Sequence, residues 1–497
     1  MRSCVRRSGL SLVGLLCTAA MALAQSPQQE INALRKQLED VRRQDSETKR
    51  QLAELQRRLE ALEAQTSAPE PPTPAPPQST ALEQALQDLP STPPAAVPST
   101  ALGLPQRSGG GPAIRLLDLS ADLLASGGGS TGSDTALQAL QGGDHDPRKN
   151  GFTLQQLELS LTGAVDPYIT GEAHLVFFID PLDGETHVEL EEAFLTTQSL
   201  PFALQLKAGF FLTEFGLINP THPHAWDWLD QPVVHTRFFG PDGMRQAGLR
   251  LSWLLPLPWT SEFFTSVQNA HGETMASFLA SEEFFTERPI GGRPFVSRQV
   301  KGADDLVYLV RWENFWNLSA TVSAKLGGSA VFGPNASGAD GRTTIYGGDL
   351  KVRWRPVQHF RGWPFLLWQT ELMRRDYRAD GLESSDVDGN PLVLPEQTLR
   401  DWGLYTQALY GFSYRWAAGL RFDYSTGHGA SLQGRAADPF RDTRYRVSPL
   451  LSWSPSEFSR LRLQYNYDHA AHLESRDAHT VWLGVELLYG SHPAHKY

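Results

Sequence analysis

The sequence predicts an all-β protein, an antiparallel transmembrane β-barrel of about sixteen strands preceded by an α-helical coiled coil, and three observations carry that prediction. The first is alternation. Along Leu157-Glu158-Leu159-Ser160-Leu161-Thr162, and again along Thr170-Gly171-Glu172-Ala173-His174-Leu175, side-chain character switches at every residue. A period of two gives a strand one apolar and one wet face. Between these runs lie only Asp166-Pro167-Tyr168, where Pro pre-sets a turn φ, so the two runs form a tight hairpin. The second is length: most alternating runs are about 10 residues, which is what a tilted strand needs to cross a bilayer. The third is the sorting of connectors, every second one short and most of the others long and polar. Short turns on one rim and long loops on the other mark an outer-membrane barrel, and a water-soluble sandwich has no reason to sort its loops this way.

In chain order, residues 1–24 read as a signal peptide. Arg2, Arg6 and Arg7 precede an apolar run from Leu10 to Leu16, and Ala22-Leu23-Ala24 supplies the small residues before a cleavage site. Both cysteines, Cys4 and Cys17, leave with it, so the mature chain has no disulfide, iron–sulfur or Cys-nucleophile chemistry. Removing three arginines from 44 basic residues leaves 41 against 55 acidic ones, a net charge of −14. Nucleic acid, which wants a basic surface, is not an expected partner. From 28 to 64, Ile31, Leu34, Leu38, Val41, Asp45, Thr48, Leu52, Leu55, Leu59 and Leu62 follow alternating steps of three and four, the seam of a coiled coil. It would be roughly 55 Å long, with Asp45 and Thr48 as a polar layer that favours one register. Residues 65–112 are rich in Pro, Ala and Ser and read as a semi-rigid spacer.

The barrel is expected over 113–497, with strands near 114–124, 153–164, 168–179, 187–196, 203–212, 245–254, 260–269, 305–313, 318–326, 344–355, 364–374, 400–411, 414–424, 443–453, 459–467 and 479–489. An even count returns the C-terminus to the side where the N-terminus began, which places the coiled coil and the tail together in the periplasm. After the leader no segment approaches the run of about 18 apolar residues that a spanning helix needs. Trp253, Trp312, Trp354 and Trp402 fall near the ends of alternating runs, where an interfacial belt would place them.

Chemistry must come from the face opposite the lipid. If Leu117, Leu119, Ala121 and Leu123 face lipid, then Asp118 and Asp122 point into the lumen, as do Glu158 and Glu172. In later strands the inward set turns basic: Arg250, Lys351, Arg353, Arg355, Arg421, Arg444, Arg446, Arg460 and Arg462. Acid on one arc and base on another would set a transverse field that favours small charged solutes; the same charges could also form a lateral ladder of ion pairs. The parity of the fourth strand stays open, because Glu189, Glu191 and Glu192 cannot all face water by alternation.

The stretch Leu206-Lys207-Ala208-Gly209-Phe210-Phe211-Leu212-Thr213-Glu214-Phe215-Gly216, followed by a long loop, resembles the fifth strand and constriction-loop entry of the phosphate-selective porin O and P family. The resemblance implies a sixteen-stranded trimeric outer-membrane channel, some relatives carrying N-terminal coiled coils, with the loop from Thr213 to Gly243 folded inward. His222, His224, Trp226 and Asp227 would then line the constriction. The ending Gly490-Ser491-His492-Pro493-Ala494-His495-Lys496-Tyr497 is similar to that of zinc-regulated outer-membrane proteins. That label implies a plugged receptor, whereas a coiled coil and a spacer precede this barrel.

His469 and His472 have a spacing at which two imidazoles share one face of a turn and hold zinc, or they serve no metal at all. No Walker loop, His-Glu-x-x-His or Gly-x-Ser-x-Gly occurs, so the chain is not expected to be an enzyme or to carry a cofactor. The expected role is passive diffusion of small hydrophilic, charged solutes, anions such as phosphate among them, through a homotrimer in outer-membrane lipid that reaches toward the cell wall by its coiled coil. The alternatives are a zinc-linked binding or uptake protein and a structural tether.

Overall fold

The computed structural model describes residues 117–180, 184–385, 391–429, 441–473 and 475–490. The leader at 1–24, the coiled coil at 28–64, the spacer at 65–112 and the tail at 491–497 lie outside the described residues.

The first strands are β1 (Asp118–Ser130), β2 (Gly151–Asp166), β3 (Ile169–Ile179), β4 (Thr186–Thr197), β5 (Leu204–Leu212), β6 (Arg245–Leu254), β7 (Thr260–Asn269) and β8 (Leu306–Asn317). They are followed by β9 (Val322–Pro334), β10 (Arg342–Trp354), β11 (Phe365–Ala379), β14 (Gln397–Ser413), β15 (Trp416–His428), β16 (Arg444–Ser456), β17 (Ser459–Ala470) and β18 (Asp477–Gly490). Two short strands, β12 (Leu382–Ser385) and β13 (Pro391–Leu394), form a separate hairpin inside one long loop. The other sixteen make a closed antiparallel barrel in sequence order, shut where Ser120 of β1 meets Gly490 of β18. Closure gives each of the sixteen strands a neighbour on both sides, which is what a sheet in hydrocarbon requires.

Each of the sixteen expected strands is present. The turn between β8 and β9 falls at 318–321 rather than at Asn314–Asn317, because the Ser319 hydroxyl accepts from the Thr321 and Val322 amides and fixes the reversal there. Trp312 consequently sits in mid-strand and not near an end. The register shifts at several places, and the shifts within β1–β2 and β3–β4 change which residues face inward. Across the β3–β4 pair, His174 faces Glu192 and Leu175 faces Leu190, so Glu191 is the extra residue and both it and Glu192 turn inward. Across β1–β2, Gln155 is skipped in the same way, and Gln155 and Gln156 are both buried.

Midway along the strands the outward positions are apolar, giving way to Arg374, Asp376 and Arg378 toward the long-loop end of β11. Leu249, Leu372, Leu420, Leu463 and Leu483 are each 47–54% exposed, and Trp416 stacks on Trp453 at 5.6 Å near the short-turn rim. An apolar band of this extent, with aromatic residues at the rim, is a surface for lipid and not for water.

Inside, loops fill the long-loop half. The segment 213–244 folds into the lumen and carries helix α2 (Val233–Phe239), every residue of which is buried. Phe215, Ile218, Trp226, Val234, Phe238 and Phe239 form a core with Leu309, Val331, Ile345, Met373 and Tyr405 of the wall and with Met275, Phe278 and Leu279 of the next loop. Burying each such side chain contributes about 1.5–3 kcal/mol. A shorter helix, α1 (Asp134–Leu140), capped by Ser133, sets Leu137 against Leu124, Leu229 and Trp482.

Candidate functional site

The inward loop is held on three sides by chemically different walls. Strands β15 to β18 supply a basic wall. The Asp230 carboxylate accepts from Arg421 at 2.6 Å, Arg446 at 2.7 Å, Asn466 at 2.8 Å, Gln464 at 2.9 Å and Gln141 at 3.1 Å. Lower down, Arg460 donates to the His224 and Trp226 carbonyls, and Arg462 to the carbonyls of Trp226 and Trp228. Both guanidinium groups also pair with Glu486, at 2.6 and 2.7 Å. Arg444 and Arg446 share Asp468 and bind the Leu140 carbonyl at the end of α1.

These arginines were expected on the lumen wall, either as pore lining or as a lateral ladder of ion pairs. They do face the lumen, but Arg421, Arg444, Arg446, Arg460 and Arg462 are all at most 5% exposed and are neutralised by Asp230, Asp423, Asp468 and Glu486. The inward carboxylates of the same strands, two residues along or directly opposite, close these pairs, and the loop backbone takes the remaining donors. Their part is to anchor the loop. Burial alone would raise the Asp230 pKa, but Arg421 and Arg446 outweigh it and hold the carboxyl below the usual carboxylate range.

Strands β8 to β14 supply the apolar wall, with a few polar posts: Glu371 accepts from the Ile218 amide at 3.0 Å and from the Tyr405 hydroxyl at 2.7 Å, Ser329 accepts from the Gly216 amide, and Arg375 donates to the Arg237 carbonyl.

Strands β1 to β4 supply an acidic wall that meets the loop through histidines. His222 bonds Glu191 through Nδ1 at 2.9 Å and Glu192 through Nε2 at 2.8 Å. His224 Nδ1 lies 3.0 Å from Glu158 Oε2, and His174 Nδ1 lies 2.9 Å from Glu158 Oε1. Burial opposes protonation of His222, but Glu191 and Glu158 outweigh it and hold its pKa well above the ordinary value; Glu158 raises that of His224 in the same sense. His174, Glu191, Glu192 and Asp230 went unread as site residues. His174 lies at the wet parity of its hairpin, which was a usable signal, and the adjacent Glu191 and Glu192 break the alternation without showing which residue is the extra one.

The remaining candidates separate. Asp122 is buried, Glu172 is half-buried on the inward side of β3, and Asp118 stands at the start of β1. Arg250 lies 5.6 Å over the Phe264 ring and donates to Gln205. Trp226 is buried, with its indole on the Thr221 carbonyl. Asp227 instead reaches the short-turn half, where it borders a cavity of about 320 Å³ with Lys325, Lys351, Arg353, Phe315 and Leu367. Lys325 pairs with Glu313 at 2.8 Å. Among the described residues Lys351 and Arg353 make no ion pair, and Arg355 with His359 lines the adjoining mouth. His469 and His472 do not join a three-ligand group among the described residues. His469 sits at an outward parity of β17, paired with Asp477 at 2.8 Å and stacked on Tyr445, while His472 belongs to the loop beyond.

No family model matches the chain. An uncharacterized protein of Aquifex aeolicus (strain VF5) is 29% identical over 364 residues, 70% of this chain and 71% of the relative. Among solved structures, the outer membrane channel DcaP of Acinetobacter baumannii is 13% identical, covering 75% of this chain and 97% of that one with a TM-score of 0.46. The anion-selective porin from Comamonas acidovorans is 9% identical, covering 76% and 99% at 0.44, and OprB of Pseudomonas putida is 11% identical, covering 75% and 94% at 0.46.

Proposed function

We propose that the chain is an outer-membrane porin through which small hydrophilic solutes, anions foremost, diffuse past the inward loop. The closed barrel and its apolar exterior support a place in lipid. The observation that carries the solute class is the cavity at the short-turn end, where Lys351 and Arg353 have no ion-pair partner among the described residues and lie beside Lys325 and Asp227. Two such cations in a partly enclosed space attract anions and discriminate against cations. Phosphate is the natural refinement, since a guanidinium beside ammonium groups suits its oxygens, and the Leu206–Gly216 segment points the same way. We further place the short-turn rim, both termini and the coiled coil in the periplasm, with the coiled coil tying three copies together. No cofactor and no catalytic step enters this reading.

The test is the reversal potential in a planar bilayer under a potassium chloride gradient. Wild type should prefer chloride, and the double variant Lys351→Glu, Arg353→Glu should lose or invert that preference. An unchanged preference would remove these two residues from the solute path. Added phosphate should lower the chloride current in wild type only.

A further inference from the structure

We infer that the acidic wall and the inward loop together form a binding site for a divalent transition metal, with Glu158, His174 and His222 as its ligands. Their donor atoms all lie within 4.8 Å of one another. Zinc holds imidazole nitrogens and carboxylate oxygens at about 2.0–2.2 Å, so closing this triangle onto an ion moves each donor by about 1 Å. The rings are arranged for it: His174 and His222 have centroids 4.5 Å apart.

The surrounding shell also supplies what a metal site uses. Glu192 takes the Nε2 side of His222 at 2.8 Å, Nδ1 faces Glu191 at 2.9 Å and Glu158 at 3.5 Å so that an ion there would take the place of the Nδ1 proton between imidazole and carboxylates, and Ser160 reaches both Glu158 and His174. A ligating histidine whose other nitrogen is held by a carboxylate is the usual outer-shell arrangement. Charge argues independently. Four carboxylates converge here, Asp122, Glu158, Glu191 and Glu192, and among the described residues their ion pairs are to histidine only. Asp122 is 2% exposed, neither of its oxygens has a hydrogen-bond partner among the described residues, and Oδ2 lies 4.0 Å from His224. A buried carboxylate with nothing to accept is costly unless a cation lies near. Imidazole with carboxylate, and no thiolate, selects zinc, nickel or cobalt over magnesium and calcium. Because two ligands come from the wall and one from the loop, the bound ion would pin the loop's first half to β2 and β3.

The experiment is calorimetric titration of zinc into the full chain in detergent, in a background where His492 and His495 are alanine so that the tail does not report. One zinc per chain is expected, with no heat from magnesium. His174→Gln and His222→Gln should each weaken binding by at least ~10-fold, and His469→Ala should change nothing. Zinc-edge X-ray absorption of the wild-type complex, which depends on no variant folding, should show two imidazoles and oxygen in the shell. No stoichiometric zinc, unchanged affinity in both Gln variants, or a shell without imidazole would overturn the site. The site is separate from the porin reading, since a silent bilayer would sink that reading and leave a zinc result standing.

Discussion

Asp230 gathers five donors from four different elements, two of them guanidinium groups that are themselves fully buried. Replacing it by Asn removes the anion and leaves Arg421 and Arg446 with only Asp423 and Asp468. Breaking a buried pair costs about 3–5 kcal/mol, and the surviving carboxylates put this case at the lower end. Protease cleavage within 213–244 should therefore rise in the variant while the barrel stays resistant to heat in detergent. The pH dependence follows from the sign of the shift. A carboxyl held below its ordinary value stabilises fully above about pH 4 and loses that contribution only as pH falls through its depressed folded value. Cleavage in wild type should stay flat down to about pH 4 and climb below it; a climb beginning near neutrality would give the loop's hold to another group. At this scale parity made the arginines legible as inward. Their partner was not, because Asp230 lies some 190 to 216 residues away in the chain and reaches them only after the loop folds in.

The barrel strands were legible because each must satisfy two demands at once, an apolar outer row and a length near that of a bilayer crossing. Bulges escape such a reading, since an extra residue leaves both flanking runs alternating. Glu191 gives a test. With it removed, Leu190 still points out and Glu192 in, so the deletion keeps the pattern on both sides of the bulge. The variant should fold with unchanged strand content by circular dichroism, and the loop should become more open to protease because His222 loses one carboxylate. Loss of the folded barrel would mean that the bulge sets the register of β4. Loops carry no period, which is why the inward path of 213–244 was available only from a resemblance and the core it makes with the β8–β14 wall was not available at all.

For the molecule as a whole, the outer surface decides between lipid and water. Leu372 sits midway along β11 and is 53% exposed. Arginine at such a site costs about 2–4 kcal/mol in a bilayer-embedded barrel, but only about 0.5 kcal/mol on a water-facing surface, and folding into lipid vesicles across a urea series measures the difference. Together the walls make a tube whose long-loop half is occupied by its own loop and whose short-turn half holds Lys351 and Arg353, without an ion pair among the described residues. The measurement that bears most directly on this arrangement is single-channel recording of the wild type beside a chain in which 214–241 is replaced by a short Gly-Ser link. Small, steady current steps in wild type and larger ones in the shortened chain are the expected result; no steps from either would show that the barrel does not enclose a passage.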